Sequence, residues 1–216
     1  MSPRRSTEEN SPLENLPLSV SRETKIQLQN FLDLVFEWQG KINLTGAKTP
    51  QEFCRQHIFD GVEALSVVTE VSTCLDIGSG VGIPGLIWAL LRPATQFYLV
   101  EALQKRAAFL HRAISKLQLV NAEVLHARFE EISPTQIKKT GEEKPQIVSR
   151  GTTAPSKLWP LILSSPIPFQ EWLVFSSEKT HREFLSFAEG SPFSVSGLSY
   201  QRADHSPGLL TQITHK

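Results

Sequence analysis

Apolar positions recur along this chain with two different periods, and the change from one to the other divides it. Over residues 22–39, Leu28, Phe31, Leu32, Val35, Phe36 and Trp38 form a wide helical stripe that stops at Gly40, the spacing of a helix that buries one face. A second helix is predicted from Thr49-Pro-Gln-Glu52, a capping box with proline at the first helical position. Its stripe is Phe53, Cys54, Ile58, Val62 and Leu65, and Lys41-Ile-Asn-Leu-Thr45 reads as a structured connection between the two helices. From Thr73 onward short apolar runs alternate with helical ones. The pattern predicts strand 73–77, helix 85–91, strand 96–101, helix 104–117, strand 122–127, a short helix at 129–132 and strand 146–149. Strand 171–175, helix 178–189 and closing strands 193–200 and 209–214 follow. Such alternation argues for an α/β fold with a doubly wound parallel sheet, here carrying a small N-terminal helical extension. The expected division is a flexible leader over 1–18, rich in Ser, Pro, Glu and Asn, a helical extension over 19–70, and the sheet domain over 71–216. Residues 135–144 read as a solvated loop.

Composition narrows the picture further. A chain of 216 residues suffices for one α/β domain with a modest extension. With 40% hydrophobic and 20% charged residues, and no apolar run of spanning length, it reads as a soluble globular protein. The polar N-terminus, Met-Ser-Pro-Arg-Arg-Ser6, lacks the apolar core of a secretion signal, so the protein is expected in the cytoplasm; it is expected to be a monomer. Cys54 and Cys74 lie in apolar patterns far from any paired zinc-ligand spacing; they read as reduced core residues, and no metal site is expected. Lys plus Arg balance Asp plus Glu at 22 each, which excludes the strongly basic signature of an avid nucleic-acid binder. Any contact with nucleic acid must come from a local patch.

The candidate chemistry centres on Asp76-Ile-Gly-Ser-Gly-Val-Gly-Ile-Pro-Gly85, a glycine-rich turn between a strand and a helix. There a backbone without Cβ atoms can bend sharply and admit a ligand to its N–H groups. Gly80-Val-Gly82-Ile-Pro-Gly85 also satisfies the dinucleotide fingerprint, which leaves a nicotinamide-dependent oxidoreductase as an alternative. A pyrophosphate at the helix start would not suit Asp76, whereas S-adenosylmethionine carries an amino group and a sulfonium that an acid favours. Asp76-x-Gly78-x-Gly80-x-Gly82 is the pattern of S-adenosylmethionine-dependent methyltransferases. Glu101 ends the next strand at the position of a ribose-binding carboxylate, a feature both cofactors share.

Further segments occur in order: Trp38-Gln-Gly-Lys-Ile-Asn-Leu-Thr45, Arg55-Gln-His-Ile-Phe-Asp60, the glycine loop, Lys105-Arg106-x-x-Phe-Leu110, Arg128-Phe-Glu-Glu131 and Val148-Ser-Arg150. Over about residues 25–155 the chain resembles the bacterial small-subunit ribosomal RNA guanine-N7 methyltransferases, also called glucose-inhibited division protein B. The resemblance implies a Rossmann-like class I methyltransferase fold, S-adenosylmethionine as cofactor, and small-subunit ribosomal RNA or its particle as partner. It also implies that Gly78 and Ile83 line the cofactor loop, that Phe129 and Glu130 lie beside the adenine, and that Arg150 closes the site. Phe129, Glu130 and Arg150 follow predicted strands, at the sheet edge where open α/β folds bind ligands. His57 and Asp60, three apart on one helix face, are candidates to face the cofactor or target base alongside Arg150. Lys105, Arg106, Arg112 and Lys116, with Arg128, form a candidate phosphate-contacting patch.

Guanine N7 already presents a lone pair, so this chemistry needs positioning and electrostatics rather than a general base. The chain accordingly lacks the Asn/Asp-Pro-Pro-aromatic motif of amine methylation and the Pro-Cys motif of C5 methylation. The C-terminal third departs from the family. It has Phe175-Ser-Ser-Glu-Lys179 where a Lys-Gly is usual, and His205-Ser-Pro-Gly-Leu-Leu210 where an Arg is usual. Lys179 and Arg202 are the candidates to substitute. A methyltransferase with a drifted substrate and a non-catalytic cofactor- and RNA-binding module therefore stand as alternatives.

Overall fold

Four short strands buried on both faces build the centre of the sheet, as parallel strands covered by helices require, with a fifth parallel strand at the edge. The computed structural model describes residues 12–13, 16, 20–138, 143–202 and 204–216. Most of the expected leader and residues 139–142 of the expected solvated loop lie outside them. Strands β1 (Thr73–Ile77), β2 (Gln96–Val100), β3 (Ala122–Leu125), β4 (Gln146–Ser149) and β5 (Glu171–Ser176) pair in parallel. β6 (Phe193–Gln201) and β7 (Pro207–His215) complete the order β3-β2-β1-β4-β5-β7-β6.

The two closing strands add an antiparallel edge to the doubly wound parallel sheet. β7 lies between β5 and β6 and runs antiparallel to both. The connection from β6 to β7 is a short hairpin, whereas a parallel return needs a crossover of a dozen or more residues. The chain steps outward from β1 through β2 to β3, then crosses back to place β4 on the other side of β1. That reversal opens a crevice at the carboxyl ends of β1 and β4.

Period-two alternation divides the core into two layers. Cys74, Phe97, Leu99, Val148 and Leu173 face one cluster with the N-terminal helices; Leu75, Tyr98, Val100, Ile147 and Trp172 face the other. The first layer holds α1 (Arg22–Gln39), α4 (Gly85–Leu91) and α5 (Gln104–Leu117). Ser21 caps α1, its Oγ accepting from Thr24 N at 3.1 Å. Of the expected leader, Leu13 and Leu16 are buried in this same layer.

The predicted second helix is segmented: α2 (Pro50–Phe53), a π-helical turn Cys54–Ile58, then α3 (Phe59–Ala64). The buried Trp88 ties it to the sheet domain, its Nε1 donating to Gly61 O at 2.8 Å. On the opposite layer α6 (Pro155–Leu163) and α7 (Glu178–Ala188) cover β4 and β5. α6 is absent from the sequence reading. Its Pro160 argues against a helix, yet Pro155 occupies the favoured first turn and Pro160 falls on the exposed side, where water can satisfy the carbonyl it strands. Burial keeps both cysteines inert, and pushes the Cys54 thiol up to about 12. Among the described residues no helix is long and apolar enough to cross a membrane.

Candidate active site

The glycine loop leaves β1 at Ile77 and turns back under two restraints. Gly78 N and Ser79 N donate to Val100 O at 2.8 and 3.0 Å. Glu101 then receives Gly80 N on one carboxylate oxygen at 2.9 Å and Leu103 N on the other at 2.8 Å. One acidic side chain thus fixes the turns after both β1 and β2. Gly78 sits at φ +66°, and a Cβ there would come within 2.4 Å of Thr152 Cγ2, so both backbone and packing require glycine. Thr152 is itself anchored, Oγ1 donating to Ile77 O at 2.9 Å.

Asp76 takes a different place from the one its sequence position suggested. It is 1% exposed and sits beneath the loop, where Oδ2 accepts Gly85 N at 3.1 Å in the first turn of α4. Desolvation pushes its carboxyl up to about 7, against the opposing hydrogen bond from Gly85. It therefore supports the loop from below instead of lining the cleft. Ile83 is buried in the first core layer, and Gly82 backs onto Leu86 and Leu110.

Above the carboxyl ends of β1 and β2 lies a cleft of about 480 Å³. Gly78, Glu101, Phe129 and Glu130 meet there. Arg106 and Arg128, expected on an RNA-facing patch, line the same cleft, whereas Lys105, Arg112 and Lys116 stand exposed on α5. Thr152, Thr153 and Lys157 complete the wall; the sequence pattern did not single them out, because the segment after β4 had no assigned helix to place them. Phe129 is held edge-on against Trp172, with ring centroids 5.3 Å apart.

Gly151 also borders a second cleft of about 510 Å³, lined by Arg150, Phe175, Ser176, Ser177 and Arg202 among others. The Arg150 guanidinium lies 4.9 Å over the Phe175 ring, donates to Gln56 O at 2.6 Å and forms a 2.8 Å ion pair with Asp60. Asp60 is the node of this region. It is 5% exposed and also accepts Tyr200 Oη at 2.7 Å and Arg202 Nε at 2.9 Å. Burial holds the Tyr200 hydroxyl above its usual range, and the Asp60 charge adds to the effect.

His57 does not join Asp60. Its Nε2 lies 3.2 Å from Thr45 Oγ1 and its ring meets Phe53 edge-on at 5.0 Å. Desolvation, with Arg150 nearby, lowers it to about 4, so it is neutral at physiological pH.

Residues 24–197 match the profile of a known family, GidB, the rRNA small subunit methyltransferase G proteins. The chain belongs to this family. A Wolinella succinogenes ribosomal RNA small subunit methyltransferase G is 35% identical over 153 residues, covering 71% of this chain and 75% of that protein. The Oenococcus oeni protein of the same name is 34% identical over 56% of this chain, and the Azoarcus one 36% over 56%. Those two alignments span about half of the relatives' own lengths, 51% and 57%. Among solved structures, an Aquifex aeolicus SAM-dependent methyltransferase superposes with a TM-score of 0.51 at 16% identity, covering 74% of this chain and 93% of that one. The Geobacter metallireducens precorrin-6y C5,15-methyltransferase gives 0.51 at 12% identity, over 72% and 87%. The fold is the Rossmann-like class I methyltransferase fold. The profile match ends at residue 197, within β6 and before the turn that delivers Arg202 to Asp60.

Proposed function

We propose that this protein transfers a methyl group from S-adenosylmethionine to N7 of a guanine in small-subunit ribosomal RNA, acting as a cytoplasmic monomer on the RNA or its particle. The residues present fit the cofactor. Gly78, bare of a side chain and packed against Thr152, keeps the turn at the cleft wall close to a ligand, and Glu101 has carboxylate lone pairs beyond its two backbone bonds for ribose hydroxyls. Phe129 and Glu130 suit an adenine at the far end of the cleft. When bound, the cofactor supplies an electrophilic methyl on a sulfonium. Gly80, Gly82, Asp76 and Ile83 act behind the cleft, shaping the turn that the ligand meets.

The observation that carries the reaction class is the state of Asp60. The buried carboxylate bordering the second cleft is taken up by two arginines and a tyrosine, so it is not poised to remove a proton. A guanine N7 needs no proton removed; its lone pair has only to be held in line with the methyl–sulfur bond. Arg150, fixed on three sides, is the positioning group on the wall of the second cleft, next to the Gly151 that the two clefts share. His57 keeps its helix in place through Thr45 without contacting substrate. The exposed stripe Lys105, Arg112 and Lys116 offers long-range attraction to RNA.

A drifted substrate is the second reading, favoured by the departures at 175–179 and 205–210. Arg150→Ala is expected to lower radiolabelled methyl transfer to small-subunit particles by about a hundredfold, on the scale of removing one charge-stabilising donor, with S-adenosylmethionine affinity retained. Cleavage mapping of the labelled RNA at N7-methylated guanines checks the acceptor atom. Label on another atom would support the drifted reading, and full activity in the variant would remove Arg150 from the site.

A further inference from the structure

Three hollows adjoin along the carboxyl edge: the cofactor cleft, the second cleft that shares Gly151 with it, and a basin beyond. The basin, about 350 Å³, is lined by Arg55, Gln56, Asp60, Arg150, Arg202, Asp204 and Ser206. Its last neighbours come from the β6–β7 hairpin, beyond the family match.

Three guanidinium groups meet two carboxylates here, and both carboxylates are engaged. Asp60 is consumed by Arg150, Arg202 and Tyr200. Asp204 turns back on its own loop, Oδ1 accepting Ser206 N at 3.0 Å and Ser206 Oγ. Arg202 uses Nε on Asp60 and Nη1 on Pro207 O at 3.0 Å, which leaves Nη2 without a hydrogen bond among the described residues. Arg55 lies exposed and makes no ion pair among the described residues. The lining of the basin therefore carries one net positive charge, with guanidinium donors not used on the protein. An arginine fork suits a phosphate by charge and by geometry.

We infer that this basin binds a backbone phosphate of the RNA substrate, with Arg202 and Arg55 as the contacting groups. Asp60 serves as the positioning residue that fixes the Arg202 fork. Phosphate contacts of this kind set register on the RNA without reading sequence. The inference rests on the proposed RNA substrate.

The test is affinity of the full-length protein for a short fluorescent fragment of small-subunit ribosomal RNA across a potassium chloride series, beside calorimetric S-adenosylmethionine binding and methyl transfer by the parent. The Arg55→Gln/Arg202→Gln double variant is expected to bind RNA about tenfold more weakly, with the salt slope flattened by about 0.7 per lost contact. Its cofactor affinity is expected to be unchanged, since Asp60 keeps Arg150 and Tyr200, and this also reports an intact fold. Arg182→Gln, on the exposed side of α7, is expected to match the parent. A double variant with parental affinity and slope, from a parent that does transfer methyl groups, overturns the basin and leaves the function standing. Equal loss in Arg182→Gln also overturns it, as a general charge effect. A parent that transfers no methyl to this RNA overturns the function, and the same slope comparison still decides the basin.

Discussion

His57 and Asp76 are both buried titratable groups, and burial drives them in opposite directions. Asp76 is raised from 3.8 to about 7, so the protonated form is favoured by folding. Its contribution is fully present below about pH 4 and is lost as pH rises through 7. His57 is lowered from 6.5 to about 4; its contribution is present above pH 6.5 and is lost as pH falls toward 4. The two offset each other across the same window, so single variants tilt the curve. Thermal unfolding of Asp76→Asn is expected to lose more stability than the parent on acidification from pH 7 to 4, since only the histidine penalty remains. His57→Gln is expected to tilt the other way. Parallel curves for parent and variants would contradict the burial assigned to these groups. At the loop, Gly80 holds φ +57° and donates its N–H to Glu101, so Gly80→Asp is expected to abolish calorimetric S-adenosylmethionine binding. Unchanged binding, or equal affinity for NAD, would sink the cofactor assignment. Glycine spacing and the strand-end acid were legible in the sequence because local backbone geometry alone demands them. The inward placement of Asp76 and Ile83 was not, because it depends on α4 folding back over the loop.

Capping and period carry most of the element-level account. Ser21, Thr49 and Ser177 each open a helix through a side-chain oxygen; of these starts the Thr49 capping box was legible from residue type. Two features were hidden. The π-helical turn Cys54–Ile58 breaks the simple i, i+3 relation, so His57 goes to Thr45 and Asp60 to the arginines; π-turns of this kind recur at functional sites. α6 was masked by Pro160, although it carries Lys157 to the cofactor cleft. The N-terminal helices are held to the sheet by packing and by the Trp88–Gly61 hydrogen bond. Trp88→Phe leaves that carbonyl buried without its donor, and urea unfolding is expected to show a loss of about 1–3 kcal/mol from this group alone. A variant as stable as the parent would mean that the extension is held by apolar contact only.

At the scale of the molecule, strand–helix alternation announced the doubly wound sheet, and the reversal between β1 and β4 puts the candidate site where such sheets bind ligands. The antiparallel β7 and the long-range meeting of Asp60 with Tyr200 and Arg202 could not be read from local pattern, since the partners lie 140 and 142 residues apart. Nor could the split of the basic patch. Lys105, Arg112 and Lys116 share one exposed stripe of α5, whereas Arg106 and Arg128 turn to the cofactor cleft. Charge reversal of the stripe is therefore expected to reduce RNA association at low salt and to leave S-adenosylmethionine affinity unchanged, as paired titrations would show. A parallel loss of cofactor affinity would mean that the stripe also faces the cleft.

The central claim, methyl transfer to guanine N7, is tested most directly by incubating the purified protein with labelled S-adenosylmethionine and small-subunit particles lacking the modification, then mapping the label. The account predicts stoichiometric label on a single guanine, at N7, lost in Arg150→Ala. Absence of label in ribosomal RNA, with the cofactor demonstrably bound, would contradict it.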